Sequence, residues 1–94
     1  MNEDLILELE NALNQLKEED LLDSDTFKII SNAIKELTQA LKEDDMKSTY
    51  LKYDAVVWQL LDQVGISERT ALLDNALHKV KQLLKLRGIK IYRF

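Results

Sequence analysis

The single histidine, His78, is where a search for chemistry in this chain begins, and its neighbours decide against most of it. Asp74 lies four residues before it, so the two share a helix face, where a carboxylate beside an imidazole is an ordinary surface pair. A hydrolytic triad would have to draw a serine from another helix. A di-iron or di-manganese bundle needs Glu-x-x-His on two helices, and the residue three before His78 is Asn75. The acid pairs Glu18-Glu19 and Asp44-Asp45 are adjacent, so they diverge on a helix and cannot meet at one reacting atom. Glu43-Asp44-Asp45 has neither the further oxygen ligands nor the glycine-bearing loop of a cation site. The two glycines, Gly65 and Gly88, are isolated, which rules out a glycine-rich phosphate loop. With no cysteine there is no thiolate nucleophile, disulfide or cysteine-type zinc site. The expectation is a chain without catalysis, cofactor, metal or small-molecule substrate.

What remains is recognition. From His78 to Phe94 the chain carries Lys79, Lys81, Lys85, Arg87, Lys90 and Arg93 with no acid. Ile89, Ile91, Tyr92 and Phe94 are interleaved there, four large apolar residues in a short tail. A basic end of this kind could meet an acidic partner or an anionic lipid surface. It could equally answer acids elsewhere in the fold, and Lys and Arg suit a helix C-terminus. Tyr50, Tyr53 and Trp58 form a second cluster, read as core packing with polar tips outward or as partner anchors.

Four amphipathic helices position these groups. The first spans Glu3 to Glu18, capped by Asn2, with Leu5, Leu9, Ala12, Leu13 and Leu16 inward. Its end is soft, because Leu21 and Leu22 continue the apolar content. Asp23, Ser24 or Asp25 caps a second helix reaching Lys42, with Phe27, Ile30, Ile34, Leu37 and Leu41 as its stripe, widened by Ala33 and Ala40. Asp44 or Asp45 caps a third, Met46 to Gln63, whose line is Tyr50, Val57, Leu61 and Val64, with Tyr53, Leu60 and Trp58 beside it. Asp54 falls at the edge of that core. Val64-Gly65-Ile66-Ser67 reads as helix end, left-handed glycine, apolar contact and next cap. The fourth helix runs on to Arg87 through Leu73, Ala76, Leu77, Val80 and Leu84, and Gly88 ends it. Short connections predict an all-α, antiparallel up-down four-helix bundle, one domain over residues 1–94, its tail packed on or near helices three and four.

Composition agrees. At 94 residues, 46% hydrophobic and 32% charged, with no proline, the chain lacks the turn residues of an all-β domain. No apolar run approaches the roughly 20 residues of a membrane span. Met1-Asn2-Glu3-Asp4 is acidic where a secretory leader is basic, so the expected location is the cytoplasm, with at most weak contact to a membrane surface. The net charge of −4 conceals two opposed halves. Residues 1–45 hold 13 acids and 4 lysines, whereas residues 46–94 hold 4 acids and 9 bases. Overall acidity argues against nucleic acid, and Glu68 and Asp74 at the start of the fourth helix argue against a DNA-reading helix. One core uses most of the apolar side chains, so a monomer is expected.

The segments Lys28-Ile29-Ile30 through Leu41, Leu51 through Gln63, the Gly65-Ile66-Ser67 corner and Leu73 through Arg93 cover most of the chain. In these, and above all in the Gly88-Ile89 corner followed by Tyr92-Arg93, the sequence resembles the immunity proteins that protect lactic acid bacteria and their relatives from pediocin-like (class IIa) bacteriocins, in particular the enterocin A immunity group. The resemblance implies a non-catalytic cytosolic bundle. It implies as partner the membrane-embedded mannose permease of the phosphotransferase system, recognised from inside once bacteriocin has engaged it. Specificity in that family lies in the C-terminal half, which places contact roles on Lys81, Lys85, Arg87, Lys90, Tyr92, Arg93 and Phe94. The alternative from a different class is a helical adaptor or structural protein that binds a partner helix in a groove.

Overall fold

The computed structural model describes residues 2–63 and 71–91. Four helices account for nearly all of them: α1 (Asn2–Glu18), α2 (Ser24–Lys42), α3 (Met46–Gln63) and α4 (Ala71–Leu86). Each packs on its neighbours in the chain, and α4 closes the ring against α1. The radius of gyration, 12.4 Å, is that of a close-packed domain of this length, about 12 Å. The expected four-helix, up-and-down bundle is the observed fold.

Helix ends follow from local chemistry. Asp23, in an extended conformation, accepts a hydrogen bond from the Thr26 amide at 2.8 Å and caps α2. That bond holds its carboxyl below the usual carboxylate range. Asp45 caps α3 by accepting from the Ser48 amide at 3.1 Å. Helices α1, α2 and α4 all end on a left-handed residue: Asp20 (φ 51°), Asp44 (φ 53°) and Gly88 (φ 84°). In each, the next amide reaches back five residues, Leu21 to Leu16, Asp45 to Ala40 and Ile89 to Leu84, which is the Schellman closure. The soft end foreseen for the first helix is this corner, with Leu21 and Leu22 half-buried against the core.

The expected stripes of α2 and α4 hold. Ile30, Ile34, Leu37, Ala40 and Leu41 are buried, as are Leu73, Ala76, Leu77, Val80 and Leu84, while Phe27 and Ala33 flank the core half-exposed. In α1, Ile6 joins Leu5, Leu9, Ala12 and Leu16 inside, and Leu13 lies at the edge. α3 requires a correction. Its inward residues are Thr49, Tyr53, Val56 and Leu60, whereas Tyr50 and Val57 sit half-buried at the margin. Leu61 is half-buried too, and Val64 lies outside the described residues. The cause is Thr49. Its hydroxyl donates to the Asp45 carbonyl at 2.7 Å, so a residue that reads as polar is buried with its hydrogen bond made. Asp54 does sit at the core edge, half-exposed. Burial, and secondarily the Asp54 charge, push the Tyr53 hydroxyl above its ordinary pKa.

Ion pairs join the two oppositely charged halves. Among the described residues, Glu8 of α1 pairs with Lys79 of α4, Glu36 of α2 with Lys52 of α3 at 3.1 Å, and Asp44 with Arg87 at 2.8 Å. Each takes its acid from the first half and its base from the second. Part of the charge asymmetry is therefore spent within the fold, though such exposed pairs contribute little each. No described helix is long and apolar enough to cross a membrane.

Candidate functional site

In an up-down bundle the start of α1 and the ends of α2 and α4 fall at one end, and the structure ties them together there. Arg87 Nη2 donates to Asp44 Oδ2 at 2.8 Å. Asn2 Nδ2 donates to Asp44 Oδ1 at 3.2 Å and to the Leu41 carbonyl at 2.9 Å. Asn2 thus stands inside α1 rather than capping it: its side-chain amide is used instead on the end of α2, on the Leu41 carbonyl and the Asp44 carboxylate. The Arg87 guanidinium, and after it the Asn2 amide, hold the Asp44 carboxyl below the usual carboxylate range. An open pocket of about 360 Å³ lies beside this knot, lined in part by Ile6, Lys42 and Arg87.

Beyond Gly88 the chain turns back. Ile89 and Ile91 are half-buried against the core, so this part of the tail is docked. A shallow hollow of about 470 Å³ lies around them, lined by Lys85, Gly88, Ile89, Lys90 and Ile91. Leu86, the most exposed large apolar side chain in the described residues at 84%, stands beside Lys85. The corner therefore combines an apolar floor with ammonium groups on its rim.

Of the sequence-derived contact residues, the structure brings Lys85, Arg87 and Lys90 to this corner. Lys85 and Lys90 are exposed and Lys81 is half-buried one turn earlier. None of these three lysines makes an ion pair or hydrogen bond among the described residues. Arg87 differs, being committed to Asp44. Tyr92, Arg93 and Phe94 lie outside the described residues, as does the Gly65 corner. Sequence reading placed Asn2 and Asp44 at helix ends but missed the contact between them. Of the two caps the sequence offers for the third helix, the structure uses Asp45, and it makes Glu43 the C-cap of α2 and Asp44 a left-handed anchor for Arg87. The available signal was an Asp where a glycine is easiest, which a side-chain contact can justify.

His78 is exposed on α4. Among the described residues no group of three or more acids or histidines is arranged to hold a metal ion. No protein-family profile, curated protein or solved structure matches the chain. The corner offers cationic and apolar contact at one end of the bundle.

Proposed function

We propose that this chain is an immunity protein against a pediocin-like bacteriocin, acting without catalysis from the cytosolic side on the permease that the bacteriocin has engaged. The observation that carries the reading is the C-terminal corner. A left-handed Gly88 folds Ile89 and Ile91 onto a four-helix bundle and leaves Lys85 and Lys90 exposed and unpaired among the described residues. In this reading Lys81, Lys85 and Lys90 steer the bundle to an acidic or lipid-proximal surface. Arg87 and Arg93 add to the basic charge, and Tyr92 and Phe94 are the apolar anchors of the same reading.

The test is expression in a sensitive strain challenged with a panel of pediocin-like peptides. A large, peptide-selective rise in survival is expected, and replacement of both Tyr92 and Phe94 by Ala abolishes it with helix content unchanged. Unchanged sensitivity across the panel, with soluble expression confirmed, sinks the reading in favour of a helical adaptor.

A further inference from the structure

The outward face of α3 is apolar where an outer face is normally polar. Leu51 is 64% exposed and Trp58 40% exposed. They lie seven residues apart, two turns on one face, with exposed Ala55 between them. Lys47 and Asp62, both exposed, close the stripe at its two ends. Leu7, Ile29, Leu72 and Leu86 are exposed too, but among the described residues none has a second exposed large apolar residue within two turns on its own helix. Those are scattered surface residues; the α3 stripe is a patch.

The order of residues along the patch identifies what fits it. Leu51 and Trp58 are placed symmetrically about the point between Asp54 and Ala55, and Lys47 and Asp62 are symmetric about the same point. If a second copy lays its own α3 antiparallel on this face, one register therefore pairs all four of these residues. Leu51 meets Trp58 of the second copy, and Lys47 meets Asp62 of the second copy. Asp54 and Ala55 lie nearest the two-fold axis, where the small Ala55 lets the helices approach closely. Reversing the direction would set Lys47 against Lys47 and Asp62 against Asp62. We infer that this face pairs with a second copy of the chain in a two-fold antiparallel α3–α3 contact, fixed by Leu51–Trp58 packing and by Lys47–Asp62 pairs at both ends. Such a contact is self-complementary, as a two-fold interface must be. It spans about 22 Å of one helix, the scale of a weak, transient interface of under about 1,200 Å² rather than of a permanent one. The chain is therefore monomeric when dilute and dimerises as concentration rises.

The inference stands apart from the immunity reading, and its test needs no bacteriocin. Sedimentation equilibrium from micromolar to millimolar concentration is expected to show a reversible monomer–dimer equilibrium, abolished by Leu51→Lys with the circular dichroism spectrum unchanged. Lys47→Glu and Asp62→Lys each weaken association roughly tenfold, through two symmetry-related rim pairs lost at once. The double variant Lys47→Glu/Asp62→Lys recovers it. An equimolar mixture of the two single variants also associates, because each copy then supplies the charge the other needs. A monomer at every concentration overturns the inference. So does a dimer indifferent to Leu51→Lys, or one in which neither the double variant nor the mixture recovers association.

Discussion

The two faces of α3 are built from similar residues and do opposite things. Inward, Thr49, Tyr53, Val56 and Leu60 are buried in the bundle. Outward, Leu51, Ala55 and Trp58 meet solvent. Apolar content marks a surface to be covered without saying what covers it. A buried position is set by the direction in which neighbouring helices lie, and a short polar residue such as Thr49 can occupy it when its hydrogen bond is made locally.

The sharpest way to break that contrast is to truncate one leucine on each face. Leu60→Ala opens a cavity in the core and is expected to destabilise by about 2–5 kcal/mol. Leu51→Ala is expected to stay within about 0.5 kcal/mol of the parent, as surface changes do. Urea denaturation of both variants, at concentrations where the chain is monomeric, checks it. Comparable losses at the two sites would mean that the outward residue is also part of the core.

How much of this was legible in the sequence depends on how one-sided each helix is. α2 and α4 place aliphatic residues on one face and charges on the other, so their core residues could be read directly from spacing. α3 carries large apolar groups on both faces, and periodicity alone set its stripe about one residue off. Gly88 was legible because a glycine after a helical run and before Ile89 is the sequence mark of a left-handed close. Asn2 and Asp44 were not, because their role is a contact between residues 42 positions apart, at ends that only the bundle brings together. The exposed lysines of the candidate site were legible as residue types. That Arg87 is tied down while Lys85 and Lys90 are not depends on where Asp44 points.

A smaller effect separates exposure from dispensability. Gly88 is exposed, and an added Cβ there meets no atom within 4 Å. Yet at φ 84° its backbone disfavours any other residue. Gly88→Ala is expected to cost about 1–2 kcal/mol from the left-handed conformation alone. The readout is the melting temperature, with the docking of Ile89 and Ile91 followed by amide exchange. An unchanged melting temperature would mean that the corner can adopt a different turn, and that the docking of Ile89 and Ile91 does not depend on the left-handed close.

The smallest expected effect concerns the partner corner, where Asp44 holds the same left-handed backbone with a charged side chain. Its carboxyl titrates lower in the folded chain than in the unfolded one, because Arg87 and Asn2 favour the ionised form. The stabilisation it supplies is therefore complete above the ordinary carboxylate pKa of about 3.9 and is lost as pH falls through the lower folded value. Asp23 follows the same sign through its bond to Thr26, so wild type loses stability in acid from both sites. Asp44→Asn keeps the size of the side chain and removes the charge. It is expected to lower the melting temperature slightly at neutral pH and to converge on wild type in acid, once pH falls below the lowered folded value and the native carboxyl is itself protonated. Added salt should narrow the gap at neutral pH, since the pair is exposed. If the two melting curves keep a constant separation down to the acid limit, the Asp44 charge is not what joins the end of α2 to the end of α4. The joint then rests on Asn2 and on packing, and the orientation of the lysine-bearing corner no longer depends on an ion pair.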